Sequence, residues 1–189
     1  MINKELQKRI LSSIILLPLA LYFILAGSFY LVFFTIICFF VSIYEWNKMI
    51  KKIKIKFLGT IFLIFSFYTF YEIANADLWV FILLVCVSTD IGGYVFGKLF
   101  KGPKLTKISP NKTFSGMIGG YLLSLISLSF FMNWINHTTD VEWFLVTILI
   151  STVSQIGDIV ISYFKRLSKV KDTGKIIPGH GGLLDRIDG

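Results

Sequence analysis

The sequence predicts an all-α fold: a polytopic integral membrane protein with about six transmembrane helices. Three observations carry this prediction. Mean hydropathy is +0.75 and only 16% of residues are charged, against about a quarter in an ordinary soluble domain. Six apolar segments recur, roughly at 10–27, 28–46, 57–72, 78–97, 114–135 and 141–164. Most approach the ~20 residues that cross about 30 Å of hydrocarbon. The 19 Lys and Arg all fall in four clusters, at 4–9, 48–56, 98–112 and 165–186.

The first segment follows Lys4, Lys8 and Arg9. A basic start and Ala26-Gly27-Ser28 also suit a signal peptide, but with five more spans behind it an anchor is the simpler reading. Ile2, Leu6 and Ile10 share one helical face, which suits a short helix lying on the membrane surface. The second segment joins the first tightly, and the third is short. The loops expected at 71–78 and 136–143 carry Glu72, Asp77, Asp140 and Glu142 and no cation. With the N-terminus in the cytoplasm, six spans bring every basic cluster to the cytoplasmic side, as the positive-inside rule asks. Both termini are then cytoplasmic, in a bacterial-type inner or plasma membrane. The net charge of +8 is thereby assigned to orientation, and no nucleic-acid partner is expected. Cys38 and Cys86 lie inside apolar runs and read as small core residues. The many aromatics read as lipid-facing or packing bulk. Residues 1–84 are expected to supply the first three spans and the start of the fourth, and 85–189 the remaining transmembrane region.

Ionisable groups inside spans are the informative ones. Asp158 precedes Arg166 by eight residues, which puts it about 12 Å inside the basic edge of the membrane. Asp90 stands at the same depth below Lys98. A buried carboxylate costs several kcal/mol unless it is paired or metal-bound, so both are functional candidates. The other reading of each is a polar contact inside the helix bundle. The loop 97–116 is basic and broken by Gly102, Pro103 and Pro110. Its Ser109, Asn111, Lys112 and Thr113 stand where the fifth span begins, a place that favours anions; the alternative is a solvated basic loop.

The tail, "KVKDTGKIIPGHGGLLDRIDG", follows a long apolar run. Glycines at 179, 181 and 182 flank His180, so the backbone there can bend sharply and approach a ligand. Lys165, Arg166, Lys171 and Arg186 supply cations; Asp172, Asp185 and Asp188 supply hard oxygen ligands. Carboxylates and cations without a cysteine cluster suit magnesium and phosphate. Asp185 and Asp188 share a face if their segment is helical. This is the pattern of a phosphate-handling site at a membrane edge; the other reading is a flexible solvated terminus.

These residues resemble a known family. The run Ser162-x-Phe164-Lys165-Arg166-x4-Lys171-Asp172-x-Gly174-x2-Ile177-Pro178-x-His180-Gly181-Gly182-Leu183-x-Asp185-Arg186-Ile187-Asp188 is similar to the signature of the phosphatidate cytidylyltransferases. "TDIGGYVFGK", "SPNKT" with Gly116, and "QIGD" match upstream. The resemblance covers about residues 85–189 and implies that this is the catalytic region, with a cytoplasmic-side active site that transfers a cytidylyl group from CTP to phosphatidic acid. It implies a magnesium site held by Asp158 and Asp185, with Asp188 assisting and potassium as a possible second ion. It also implies a homodimer in the lipid bilayer. The candidate catalytic residues are Lys165, Arg166, Lys171, Asp172, His180 and Arg186. Substrate contacts are expected from Asp90, Lys98, Ser109, Asn111, Lys112, Thr113, Ser162, Gly181 and Gly182. His180 either orients a phosphate or acts as an acid or base. Relatives often carry Glu where this chain has Ser115 and Ile161, and they generally continue into another membrane helix. A compact member, a shortened product and a fragment therefore all remain open.

Two other functions compete with this one. A transporter would spread polar groups through the membrane depth, whereas Asp90 and Asp158 both stand near the basic edge. An inactive scaffold would be favoured by loss of a signature aspartate, and all are present.

Overall fold

The computed structural model describes residues 4–75, 78–106, 108–109, 111–138 and 140–188. Among these residues the regular structure is helical: α1 (Lys4–Ala26), α2 (Ser28–Met49), α3 (Ile53–Asn75), α4 (Trp79–Phe100), α5 (Phe114–Trp134) and α6 (Val141–Leu167). Each is long and apolar enough to cross a membrane, by length and composition. A helix satisfies its backbone polar groups internally, which hydrocarbon surroundings demand. Large apolar side chains stay exposed along all of them, for instance Leu25, Phe40, Phe62, Leu99, Phe130 and Leu149, as lipid-facing surfaces should.

The six expected spans are present; five are longer than expected and the fifth, Phe114–Trp134, is one residue shorter. The third grows most, because Lys54 and Lys56 enter the first turns of a 23-residue helix. Long aliphatic stems let such cations sit at a span's end while their charges stay in water. The surface helix expected at 2–10 is not separate. From Lys4 onward those residues are the first turns of α1; residues 2 and 3 lie outside the described residues. The break comes only at Gly27, whose φ of +60° suits a residue without Cβ. α3 runs on to Asn75, so Glu72 is helical rather than in a loop, and Asp77 lies outside the described residues.

The chain forms two compact units. One comprises Met1–Asp77 and Phe164–Ile187. Within it Trp46 is 4% exposed. Its ring meets Phe164 edge-on at 5.0 Å, and its indole N–H donates to the Lys56 carbonyl at 3.2 Å. Gly59 gives that ring its space: a Cβ there would overlap the indole.

The other unit comprises Leu78–Tyr163 and Asp188–Gly189. α4 and α5 approach through glycines. A Cβ on Gly92 or Gly119 would strike the opposite backbone, and one on Gly116 would come within 2.7 Å of the Gly93 carbonyl. Small residues let membrane helices pack backbone to backbone, where dispersion replaces the hydrophobic drive missing in lipid. Polar side chains add directional links. Thr89 on α4 donates to Ser151 on α6 at 2.9 Å, and Tyr121 on α5 bonds Thr152 on α6 at 2.9 Å. Phe81, Val85, Leu128, Phe131 and Met132 form a buried apolar cluster.

Candidate active site

In the unit built on α4, α5 and most of α6, charged groups that the sequence singles out come together. Lys112 Nζ lies 2.5 Å from Asp158 Oδ2, with side-chain exposures of 23% and 39%. Asp90 lies within electrostatic reach of both. Ser162, one turn along α6, brings its hydroxyl to 3.5 Å from Asp158 Oδ1. The loop before α5 presents Lys112 on a tied backbone. Leu105 N donates to Lys112 O at 2.8 Å, Lys112 N to Ser109 O at 3.1 Å, and Phe114 N to Pro103 O at 3.1 Å. The other loop candidates have local work. Thr113 caps α5, its hydroxyl accepting from Gly116 N at 3.1 Å. Ser109 N donates to Thr106 Oγ1 at 3.1 Å, and Asn111 is exposed. Lys98 lies along its own helix, with Nζ 3.4 Å from the Tyr94 hydroxyl.

In the other unit the tail folds around two carboxylates. α6 ends with Lys165 and Arg166 in its last turn, and the chain then runs to residue 188 in turns and bends. Asp185 is 8% exposed. Its Oδ2 accepts from Thr173 N at 2.8 Å, Thr173 Oγ1 at 3.0 Å and Gly182 N at 3.0 Å. Its Oδ1 accepts from Lys165 Nζ at 2.8 Å. Burial pushes the Asp185 carboxyl up, but the Lys165 hydrogen bond, the Gly182 and Thr173 amides and the Lys165 charge together outweigh it. They hold the group below the ordinary carboxylate range.

The second carboxylate, Glu45 on α2, is 1% exposed. Oε1 accepts from Leu183 N at 3.0 Å, and Oε2 from Leu184 N at 2.9 Å and Thr173 Oγ1 at 3.1 Å. Sequence reasoning missed Glu45. A signal exists: it is an acid inside the second apolar run, as Asp90 and Asp158 are acids inside theirs, though only three residues before Lys48 rather than eight before a base. Thr173, Arg9 and Ser12 were missed too. Arg9 Nε donates to Gly179 O at 2.8 Å. Ser12 Oγ stands 2.8 Å from His180 Nδ1 and 3.0 Å from Pro178 O.

Two expectations change. The segment holding Asp185 and Asp188 is not helical, because its Gly182, Leu183 and Leu184 amides point at side-chain carboxylates instead of at carbonyls four residues back. The tail is not a flexible terminus either, since Thr173, Ile177, Leu184 and Asp185 are buried. Gly181 has φ +92°, and a side chain there would crowd Asp185 and Asp172; a Cβ on Gly182 would overlap Thr173 and Glu45. Both glycines thus admit the protein's own carboxylates. Lys171, Asp172 and Arg186 are exposed and Asp188 is half-buried. Arg166 Nη1 reaches the Val170 carbonyl at 3.4 Å.

His180 is pushed below its ordinary value near 6.5 by burial, then by the Arg186 and Arg9 charges, against a raising backbone contact with Pro178. In the window between that lowered value and 6.5 the unfolded chain binds a proton that the folded tail does not. Stability therefore rises with pH across the window and is lost as pH falls through it. Acidification from neutral pH should speed hydrogen exchange at residues 177–181, after correction for intrinsic rates, and His180→Gln should remove that dependence. A flat wild-type profile would contradict a neutral His180.

Carboxylate oxygens are the hard donors magnesium takes, so the donor chemistry fits. Asp185 Oδ2 is occupied by the Thr173 and Gly182 amides and by the Thr173 hydroxyl it shares with Glu45, which leaves Oδ1, where Lys165 sits. Asp158 is the more open carboxylate. In neither unit do three or more His, Cys, Asp or Glu gather among the described residues.

Comparison with known proteins identifies the family. Residues 55–189 match the cytidylyltransferase family. A phosphatidate cytidylyltransferase of Rickettsia felis is 36% identical over 202 residues, covering 98% of this chain and 88% of that protein. One from Staphylococcus aureus is 40% identical over 152 residues, covering 74% of this chain and 58% of its own length. One from Staphylococcus haemolyticus is 48% identical over 108 residues, 56% of this chain and 41% of the relative. With six membrane-length helices, a family match over residues 55–189 and a relative 36% identical across 98% of this chain, the chain belongs to the cytidylyltransferase family.

Proposed function

We propose that this chain is an integral membrane enzyme that transfers the cytidylyl group of CTP to phosphatidic acid. A phosphate oxygen of phosphatidic acid forms a bond to the α-phosphorus of CTP. The bond from that phosphorus to the bridging oxygen breaks, CDP-diacylglycerol forms and pyrophosphate leaves. The observation that carries this reading is the match, nearly full-length, to relatives named phosphatidate cytidylyltransferase. The tail adds support, since it offers cations beside a buried, ionised Asp185.

Phosphoryl transfer of this kind relies on positioning and charge neutralisation more than on covalent chemistry. Lys165, Arg166, Lys171 and Arg186 are assigned to the phosphates of CTP and of the lipid. Lys112, with Ser109 and Asn111 on the same tied loop, is assigned to the nucleotide or the lipid headgroup. A substrate phosphate arrives already ionised, so no general base is required, and His180 is assigned to orientation. Magnesium is the proposed cofactor, with Asp158, Asp185 and Asp188 as its candidate ligands and potassium as a candidate second ion. When bound it would supply positive charge against the phosphates as pyrophosphate departs. The charge distribution supports cytoplasmic termini and a cytoplasmic active site, where CTP is present. A homodimer is proposed from the family resemblance.

The test uses the purified chain in detergent with phosphatidic acid and radiolabelled CTP, with and without magnesium. Magnesium-dependent formation of labelled CDP-diacylglycerol is expected. Absence of that product under both conditions would overturn the reading.

A further inference from the structure

We propose that Glu45 is a positioning residue for cytidylyl transfer: from α2 it fixes the conformation in which the tail presents the Asp185 carboxylate. The inference rests on the function proposed above. Glu45 lies outside residues 55–189, the part that matches the family.

Three features of the geometry carry the proposal. Glu45 is 1% exposed and gathers the Leu183 amide, the Leu184 amide and the Thr173 hydroxyl. Both ends of the tail's turn are therefore held by one side chain. Next, Thr173 Oγ1 lies 3.1 Å from Glu45 Oε2 and 3.0 Å from Asp185 Oδ2. A hydroxyl has one hydrogen, so the position of either carboxylate bears on the other through Thr173. Last, the tail is shaped to admit the Glu45 head. A Cβ on Gly174 or Gly182 would overlap its carboxylate. A carboxylate held this closely is an outer partner of the kind that orients a reacting or ligating group, and loss of such a partner costs roughly 10–100-fold in metal affinity or activity.

The test compares full-length wild type, Glu45→Gln, Thr173→Val and Thr173→Ser in detergent. Glu45→Gln keeps the shape but replaces one acceptor oxygen with a donor facing a backbone amide or the Thr173 hydroxyl. It should lower kcat about 10–100-fold and raise the magnesium concentration for half-maximal rate by a similar factor, while the KM for CTP moves far less. Without substrate or metal, the amides of Leu183 and Leu184 should exchange faster than in wild type. Thr173→Val should lower kcat in the same direction, and Thr173→Ser, which restores the hydroxyl, should recover most of the loss. Faster exchange at 183–184 with unchanged kcat and magnesium dependence would overturn the proposal, since Glu45 would then only staple the tail. Should Glu45→Gln fail to fold, the Thr173 pair decides, and equal loss in Val and Ser overturns it. An inactive wild type overturns the function itself and this role with it, an outcome distinct from an active wild type with an indifferent Glu45→Gln.

Discussion

Asp185→Asn is expected to abolish CTP turnover and to loosen the tail at the same time. The amide oxygen must take the place of Oδ2, because three donors converge there. The amide NH2 then faces Lys165 Nζ, donor against donor. The Asp185 and Lys165 side chains are only 3% and 13% exposed, so water does little to relieve this clash. Removing one partner of a buried ion pair costs roughly 3–5 kcal/mol. The measurement is cytidylyl transfer together with hydrogen exchange across residues 171–186. Near-normal turnover would remove Asp185 from the metal site, and unchanged exchange would remove it as the tail's organiser. Because its folded-state value lies below the ordinary carboxylate value of 3.8, its stabilising effect is complete above that value. It is lost only as pH falls through the lower, folded value.

Asp158→Asn should separate these effects. The Lys112–Asp158 pair is partly exposed, at 23% and 39%, and ion pairs in such settings contribute about 0–1 kcal/mol. Helix packing in this unit depends instead on the glycine contacts of α4 and α5 and on the Thr89–Ser151 link. Membrane insertion and thermal stability should therefore change little. With Asp158 in the proposed role of metal ligand, turnover should fall by more than about 100-fold, since loss of a residue that only orients a ligand already costs roughly 10–100-fold. Assay and thermal unfolding on one preparation decide the point. A variant that keeps near-normal turnover would show that Asp158 is not a metal ligand; one that loses both activity and fold would make Asp158 a packing residue.

The candidate site is partly legible in the sequence. Asp158, Lys112 and Asp90 each stand out singly, by depth in a span or by placement at a helix start, and the fold brings them together. Lys165 and Asp185 both belong to the signature, yet nothing in the linear pattern announces their pairing across 20 residues. Glu45 escapes a linear reading because its partners lie 128 to 139 residues away, and no periodicity reports on a contact that distant. The tail glycines suggest the right property, close backbone approach, but the wrong neighbour: Gly182 makes room for Glu45 and Thr173.

By itself, the sequence determined the six spans, the separation of basic from acidic connections and the mix of glycines, cations and carboxylates in the tail. Hydropathy and charge act locally, and each span satisfies its backbone within itself, so a linear reading suffices. Only tertiary structure decided where the tail's backbone donors go. Leu183, Leu184, Thr173 and Gly182 turn to two buried carboxylates, one on α2 and one in the tail itself. A buried amide must find an acceptor, and here the acceptor comes from a helix far away in the chain.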